Sequence, residues 1–283
     1  MAPRFEADDQ LLAVLNEGDL EVVGAVGDAS NVALVGRVSL EGVDLDCVYK
    51  PVSGERPLWD FPDGTLAGRE VSAFLLSDFL ELGLVPPTVL RQGPFGPGMC
   101  QVWVGQPPLD PARIDPGAGM VDVLPVRGRS RMDPRWLPVL QATGGRGEPV
   151  VLAHRDDPRL RLMCLFDLLA NNADRKGGHL LLGLDDRLFG IDHGICFHAE
   201  DKVRTVLWGF GGQPFDDAEL DVLQRIARGL GDNLDGPLAE ALAEHLTMRE
   251  VARTARRVSR LASQGEFPKP RGGDWPPIPW PPF

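Results

Sequence analysis

The chain has 283 residues, which is long enough for one large domain or for two lobes with substantial cores. Its 43% apolar and 25% charged residues are ordinary for a globular protein, and its net charge of −12 argues against general binding to nucleic acids or anionic membranes. No apolar run approaches the ~20 residues of a membrane span, and the first residues lack a signal-peptide pattern. We therefore expect a cytoplasmic protein with no integral membrane segment.

The first 104 residues predict a sheet that carries a single helix. Short runs of alternating apolar residues are typical of strands, and apolar residues spaced three and four apart are typical of helices. These patterns predict a helix at 5–17, strands at 20–26, 32–40, 43–50, 85–90 and 99–104, and a helix at 65–80. We interpret residues 1–18 as an N-terminal helical segment and residues 19–104 as a first, nucleotide-binding lobe.

The rest of the chain is predicted to be mostly helical, with residues 105–263 forming a second lobe. Proline and glycine crowd residues 105–150, which we interpret as a flexible insertion or lid with a short helical patch at 136–141. Periodicity predicts helices at 157–170, 217–230, 237–246 and 247–263. Residues 264–283 are rich in Pro and Trp, so we expect an extended or disordered tail that offers a contact to a protein partner.

One short segment of the second lobe predicts a β-hairpin with an aspartate beyond each end. Leu180-Leu-Leu and Leu188-Phe189 flank a turn at Asp185-Asp186. Paired strands lie ~5 Å apart, so Asp174 and Asp192 should emerge at the same end of the hairpin. The alternative is a polar hairpin rim with solvated charges.

The residues around this hairpin suit a metal ion and phosphate groups. Three basic side chains follow the first aspartate: Arg175, Lys176 and His179. Three glycines flank the charges, where we expect them to leave room for a ligand: Gly177, Gly178 and Gly194. A zinc site is an alternative that would use His179, Asp192, His193, Cys196 and His198, but the spacing is unlike that of familiar zinc motifs.

Upstream residues supply what a bound polyphosphate needs. The turn from Gly27 to Asn31 offers backbone amides, and Ser30 within it offers a hydroxyl donor. Lys50 on a strand would neutralise the phosphates, and Glu70 on the following helix would hold its ammonium in place. The alternative for Lys50 and Glu70 is a surface ion pair worth about 0–1 kcal/mol.

The order of these pieces along the chain is the one that ATP-dependent phosphoryl transfer requires. Asp174 would orient or deprotonate an acceptor hydroxyl, and Asp192 would bind a metal ion, with Mg²⁺ favoured by its oxygen ligands. Arg175 and Lys176 follow Asp174 directly in this proposed catalytic loop (residues 171–179). Arg175 either pairs with phosphate or anchors the loop. The backbone of the 99–104 strand would meet adenine, through Gln101, Val102 and Trp103, unless this is only a core strand.

The motif Asn171-x-x-Asp-Arg-Lys-x-x-His179 followed by Ile191-Asp-His-Gly194 resembles the catalytic loop and metal motif of the phosphatidylinositol 3-/4-kinase-like superfamily. Type II phosphatidylinositol 4-kinases and HipA-like serine/threonine kinases have similar shapes, and the match suits a bacterial branch over about residues 20–230. The resemblance implies an α+β, bilobal protein-kinase-like fold. In that fold an antiparallel sheet with one helix faces a mostly helical lobe that carries the catalytic hairpin. It also implies ATP with Mg²⁺ or Mn²⁺, catalysis by Asp174, and Asp192 on the metal.

The motif departs from the kinase pattern at two histidines. His179 stands where kinases place a metal-binding Asn, and His193 replaces the residue that commonly follows the metal aspartate. Neutral imidazole is a poor Mg²⁺ ligand and a better one for Mn²⁺. The sequence therefore predicts either a kinase acting on an unidentified hydroxyl acceptor or a pseudokinase, a nucleotide-binding interaction module with little turnover.

The segment at 195–215 lies where kinase relatives keep an acceptor-recognition loop. It contains Lys202, Arg204 and Trp208. Neighbouring acidic residues argue against a membrane patch, so an ordinary packed loop is the favoured interpretation. Lipid, protein and small molecule all stay open as the acceptor.

Overall fold

A five-stranded antiparallel sheet forms the N-terminal part of the protein in the computed structural model, which describes residues 9–27, 31–105, 119–126, 132–270 and 277–283. Its strand order is β1-β2-β3-β5-β4. The strands are β1 (Asp19–Ala25), β2 (Leu34–Leu40), β3 (Val43–Pro51), β4 (Thr88–Gly93) and β5 (Gly96–Val102). This confirms the predicted sheet, with boundaries shifted by a few residues at β4 and β5.

Two helices cover this sheet, one on each face. Neighbouring residues of a strand point to opposite faces, and Cys100 packs with the helix α1 (Asp9–Glu17) while Met99 packs with the helix α2 (Leu66–Phe79). The expectation of a single helix is therefore wrong, because α1 buries Val14 and Leu15 against the sheet instead of forming a separate segment. Lys50 lies opposite Met99 in the β3–β5 register, which puts it on the α2 face.

The start of α2 is held by two acceptor side chains. The Thr65 hydroxyl accepts from the Gly68 amide at 2.9 Å, and the Glu55 carboxylate accepts from the Leu66 and Ala67 amides at 3.0 and 2.8 Å. These contacts satisfy amides that have no partner within the helix. They fix where α2 begins, and with it the position of Glu70 one turn further on.

A second, three-stranded antiparallel sheet occupies part of the predicted insertion. Its strands are β6 (Val121–Pro125), β7 (Trp136–Thr143) and β8 (Pro149–Arg155), in the order β6-β8-β7. The helical patch predicted at 136–141 is therefore wrong. Leu137 and Leu140 have helical spacing, but Pro138 does not fit a helix interior, and the register shift beside it accommodates the proline in an edge strand.

The C-terminal part is built on a long helical core. It contains α3 (Pro158–Ala170), the hairpin β9 (Leu180–Leu182) and β10 (Leu188–Gly190), then α4 (Asp217–Leu230), α5 (Pro237–Ala243) and α6 (Met248–Gln264). All four predicted helices and the hairpin are confirmed. Capping boxes at Asp216/Glu219 and Thr247/Glu250 begin α4 and α6.

The described tail residues pack on the protein instead of lying loose. Phe267 and Ile278 are buried in the main core, and the Trp208 indole donates to the Pro277 carbonyl at 2.7 Å. Trp280 is 74% exposed, so a partner contact through the tail stays a prediction for that residue. Among the described residues, no helix combines the length and the apolar character needed to cross a bilayer.

His154 on β8 predicts how the free energy of unfolding depends on pH. Burial lowers its pKa to about 4, against ~6.5 in an unfolded chain. Between these values the unfolded state binds the proton and the folded state does not, so stability is full above pH ~6.5 and decreases as the pH falls. We expect His154→Gln to reduce the loss of unfolding free energy between pH 7 and pH 5 by about 2 kcal/mol in urea denaturation. An unchanged pH dependence would contradict this.

Candidate active site

The hairpin brings the two predicted aspartates to one end of a small sheet. Gly190 pairs with Leu180, and the Ile191 amide donates to the His179 carbonyl at 3.0 Å. The segment after β10 therefore runs beside the segment before β9. Asp192 follows with a φ of 61°, a left-handed conformation that Asp tolerates better than most residues.

Lys50, Glu70 and Asp192 form a single charged cluster, although they are far apart in sequence. The Lys50 ammonium lies 2.7 Å from the Glu70 carboxylate and 2.8 Å from the Asp192 carboxylate. The Glu70 side chain is only 2% exposed, whereas the Asp192 side chain is 48% exposed. The alternative of a surface pair is therefore wrong: this is a largely buried lysine between a buried carboxylate and one that faces solvent.

The charged side chains in the cluster shift one another's pKa values. The pKa of Asp192 is held well below its usual range, chiefly by the Lys50 charge. Burial alone would lower the pKa of Lys50, but Asp192 and Glu70 outweigh burial and the pKa is raised. Burial raises the pKa of Glu70 despite the opposing charge of Lys50. Near neutral pH, Asp192 is an anion and Lys50 a cation.

Glu70 also ties α2 to the segment that carries Asp192. Its second carboxylate oxygen accepts from the His193 amide at 2.7 Å. One buried carboxylate thus holds the strand lysine and the backbone next to Asp192. A shift of α2 would move both groups, so the helix position controls the geometry of the cluster.

Asp174 is positioned by the residue two places before it. The Asn172 side-chain oxygen Oδ1 accepts from the Asp174 backbone amide at 2.9 Å, while the Asn172 side-chain nitrogen Nδ2 donates to the Asp167 carboxylate at 2.9 Å. The Asp174 carboxylate lies 3.2 Å from the Lys176 ammonium. Partial burial raises the pKa of Asp174, with Lys176 opposing and the negative charge of Asp192 adding to the rise. The two aspartates are thus close enough to interact.

Arg175 anchors the loop and makes no contact with solvent. Its side chain has no exposed surface and binds the fully buried Asp167 of α3 at 3.0 Å. It also donates to the carbonyls of His179 and Ile191 at 3.3 and 3.0 Å. Of the two roles that the sequence left open for Arg175, the structure favours anchoring, because a guanidinium enclosed in this way does not reach a phosphate.

The two histidines of the motif have different surroundings. The Arg175 guanidinium lies 2.6 Å from His193 Nε2 and can only donate, so the proton of His193 is on Nδ1. Burial lowers the pKa of His193 well below its ordinary value. His179 Nε2 lies 3.3 Å from Asp192, and burial lowers the pKa of His179 to about 4. His179 is therefore a neutral imidazole beside the anionic carboxylate.

The residues fit a divalent cation that takes most of its ligands from water and from substrate phosphates. Mg²⁺ commonly uses one or two carboxylates and completes its shell with water and substrate phosphates, and Asp192 offers an ionised, half-exposed carboxylate. The buried Nδ1 of His179 has no hydrogen-bond partner, and Nε2 is the atom next to Asp192. Within the described parts of the chain, no three His, Cys, Asp or Glu side chains converge as a ready-made metal site.

The lack of a convergent set of His, Cys, Asp or Glu side chains among the described residues weighs against the zinc alternative. His193 is engaged with Arg175, and the His198 ring accepts from the Glu200 amide at 2.9 Å. The Cys196 thiol is fully buried, and burial raises its pKa well above the ordinary value. These side chains point to separate partners, so they do not form a shared ligand set.

The predicted nucleotide-contacting residues are described only in part. Ser30 lies outside the described residues, and Gly27 and Asn31 flank that gap, with the Asn31 side chain accepting from the Arg56 amide at 2.9 Å. The Gln101 side chain is buried and donates to Thr88 at 2.8 Å. The Val102 and Trp103 amides donate to the carbonyls of Pro87 and Asp46 at 3.0 and 2.9 Å. Adenine contact by this strand stays a prediction.

Two of the three glycines lie in close packing contacts. A Cβ at Gly194 would lie 3.3 Å from Leu66 of α2, and a Cβ at Gly177 would lie 2.5 Å from the Phe283 ring. The Gly177 amide also donates to the Pro282 carbonyl at 2.8 Å. The expectation that these two glycines leave room for a ligand stays a prediction. They allow α2 and the tail to approach the catalytic loop.

Two functional positions were missed by sequence reasoning, Asp167 and Asn172. Asp167 interrupts the apolar run of α3 and has no exposed surface. A carboxylate inside an apolar helix face requires a buried cation, so this interruption was a usable signal. Asn172 gave no signal, because its role depends on the left-handed C-cap at Asn171 that turns the chain.

Comparison with known proteins places the chain in a family through a sequence relative, although no family model matches the chain. Protein Rv2133c of Mycobacterium tuberculosis (strain ATCC 25618 / H37Rv) is 52% identical over 273 residues, which cover 96% of this chain and 95% of that protein. The chain belongs to the family of Protein Rv2133c.

A solved structure shows the fold. The crystal structure of the Golgi casein kinase matches with a TM-score of 0.52 and 15% identity, over 93% of this chain and 78% of that chain. At this identity the likeness concerns the fold alone. The kinase-like α+β fold is thereby confirmed, and the narrower assignment to the phosphatidylinositol 3-/4-kinase class stays a prediction.

The anchoring role of Arg175 predicts a large effect on stability. Arg175→Met leaves Asp167 buried without its partner, so we expect the free energy of unfolding to fall by about 3–5 kcal/mol. Arg187→Met is the matched control, since Arg187 pairs with Asp185 at the exposed tip of the same hairpin, and it should cost no more than about 1 kcal/mol. Denaturant unfolding followed by circular dichroism measures both, and equal losses would argue against the anchor.

Proposed function

We propose that the protein is an ATP-dependent phosphotransferase that acts on a hydroxyl acceptor. The observation that carries this proposal is the cluster in which the Lys50 ammonium bridges Glu70 at 2.7 Å and Asp192 at 2.8 Å. A partly buried lysine held by a helix carboxylate, beside an ionised aspartate, suits binding of phosphates together with a divalent cation. The kinase-like fold supports the same conclusion.

Each side chain of the cluster has a role in this chemistry. Lys50 would pair with the phosphates of ATP, and Glu70 holds Lys50 and the backbone of His193 in place. Asp192 would hold Mg²⁺ or Mn²⁺, with the neutral His179 beside it as a ligand better suited to Mn²⁺. The bound cation would supply charge neutralisation at the phosphates.

Asp174 is the proposed base or orienting group for the acceptor. Its carboxylate would take the hydroxyl proton as the acceptor oxygen bonds to the terminal phosphorus of ATP. The bond from that phosphorus to the bridging oxygen breaks, which yields ADP and a phosphomonoester. The raised pKa of Asp174 makes it a better proton acceptor than an ordinary carboxylate.

The second candidate is a pseudokinase that binds nucleotide without turnover. The direct contact between Lys50 and Asp192 favours it, because a cation must compete with the ammonium for this carboxylate. Turnover of ATP is the property that separates the two candidates.

Asp174→Asn tests the catalytic assignment. It keeps the size of the side chain and removes the proton acceptor, so we expect turnover of ATP to fall by about 10²–10⁴-fold while nucleotide still binds. Asp185→Asn, at the exposed turn of the hairpin, is the control and should keep full activity. Hydrolysis of radiolabelled ATP, measured with Mg²⁺ and with Mn²⁺, provides the readout. Tight nucleotide binding with no turnover in the unaltered protein would support the pseudokinase instead.

Lys50→Met tests the nucleotide site. Loss of the charge-assisted contacts to phosphate should weaken ATP binding by about tenfold to a hundredfold. Arg37→Met, on the neighbouring strand at an exposed ion pair with Asp46, is the control and should bind ATP normally. Isothermal titration calorimetry measures both variants, with a thermal melt to confirm folding. Unchanged affinity in folded Lys50→Met would contradict the assignment.

A further inference from the structure

A cavity of about 500 Å³ lies beside Ala173 of the catalytic loop. Its described lining does not include Lys50, Glu70 or Asp192. Its walls come from the 58–61 loop, the 201–204 segment, the last turns of α6 and the described tail. This volume is typical of sites for small molecules. The cavity has no role in the chemistry assigned so far.

The cavity adjoins the catalytic loop that carries the proposed base. Ala173, the residue before Asp174, forms part of its wall, and so does Arg204. The backbone of Arg204 is bonded to the catalytic loop on both sides, donating to the Asn172 carbonyl and accepting from the Arg175 amide, each at 2.9 Å. The Arg204 charge also acts on Asp174. A molecule in the cavity therefore lies next to the catalytic loop.

The polar side of the wall is strongly basic. Five basic side chains line it: Lys202, Arg204, Arg257, Arg260 and Lys269. Among the residues that the structure describes, the acidic side chains on this wall are Asp60 and Asp201, and both are already paired. Asp60 lies 2.8 Å from Lys202, and Asp201 lies 2.5 Å from Arg260. In a chain with a net charge of −12, this local excess of positive charge selects an anionic group.

One basic side chain, Arg257, is buried and has a nitrogen donor without an acceptor. Arg257 is 3% exposed, and its terminal nitrogens donate to the Leu169 and His198 carbonyls, each at 3.2 Å. Its Nε has no hydrogen-bond partner, and the nearest carboxylate oxygen, on Asp201, is 3.7 Å away. A buried donor without a partner is costly, and an anion in the cavity would relieve that cost.

The other walls of the cavity are apolar and aromatic. They include Trp59, Phe61, Leu168, Ile195, Trp208 and Leu261. The Lys202 ammonium lies 5.6 Å from the centre of the Trp59 ring and 5.5 Å from that of Phe61, so charge and ring surface meet in one place. The cavity therefore suits a molecule with an apolar, ring-sized body and one anionic group.

We propose that this cavity binds the phosphate acceptor, a small anionic alcohol with an apolar body; the acceptor role rests on the proposed phosphotransferase function. The anionic group faces the basic wall, and the hydroxyl lies at the Ala173 end of the cavity, toward the catalytic loop. The hydroxyl proton passes to Asp174, the oxygen bonds to the terminal phosphorus of ATP, and the phosphomonoester and ADP leave. A concave pocket of about 500 Å³, in which Lys202 is paired with Asp60, fits a small molecule better than a membrane surface.

Binding of a fluorescent probe tests the site without nucleotide. The probe is 6-hydroxynaphthalene-2-sulfonate, which has a ring body, a hydroxyl and one anionic group, and 2-naphthol is the neutral counterpart. We expect the sulfonate to bind at a single site at least about tenfold more tightly than 2-naphthol. The double variant Arg260→Gln/Lys269→Gln should lose about tenfold in affinity for the sulfonate. Arg253→Gln, on the exposed side of α6, should lose none.

Three outcomes would overturn the cavity assignment. These are equal affinity for the two probes, equal effects of the double variant and Arg253→Gln, or binding to phosphatidylinositol vesicles without binding of the free probe. ATP binding and Lys50→Met are measured in parallel. Probe binding without ATP binding would reject the phosphotransferase and keep a ligand site, whereas ATP binding without probe binding would reject the cavity alone. Transfer of labelled phosphate to the probe would support both.

Discussion

The fully buried guanidinium of Arg175 organises the catalytic loop. It joins Asp167 of α3 to the carbonyls of His179 and Ile191, on either side of the hairpin. The same group fixes the His193 ring through Nε2. Because these partners belong to three segments, no single one can move without leaving a buried charge or polar group unpaired, which costs several kcal/mol. The position of Asp192 depends on this arrangement.

A second buried charge, Glu70, connects the N-terminal sheet to the same loop. It binds the Lys50 ammonium and the His193 amide with its two oxygens. The Arg175 contacts join segments within residues 167–193, whereas the Glu70 contacts join elements that are distant in sequence. The contacts of Lys50 and His193 therefore depend on the position of α2, while the Arg175 contacts hold the loop to α3.

The sequence was sufficient for most of the local structure. Hydrophobic periodicity located α3, α4 and α6, and the two-Asp turn located the hairpin, because these signals depend on neighbouring residues alone. The pairing of Lys50 with Glu70 was also predicted, from its order along the chain. The approach of Asp192 to Lys50 followed from the expected phosphate site and not from local spacing.

Other features depend on contacts that no local pattern records. The edge strand β7 was taken for a helix because the spacing of Leu137 and Leu140 outweighed Pro138. The packing of Phe283 on Gly177 and of α1 on the sheet are tertiary contacts, which composition cannot locate. The cavity likewise assembles four separate segments around Ala173. The sequence favours an ordinary packed loop for the segment with Lys202 and Arg204, so it does not predict the basic wall.

The left-handed backbone of Asp192 limits which residue types this position can accept. Asp, Asn and Gly adopt that conformation at low cost, whereas branched or bulky residues do not. A mutational path that keeps the protein folded therefore passes through Asn or Gly. Both residues remove the negative charge that the proposed cation would require. A substitution at this position can thus abolish the proposed cation site while the fold and the Lys50–Glu70 pair are kept.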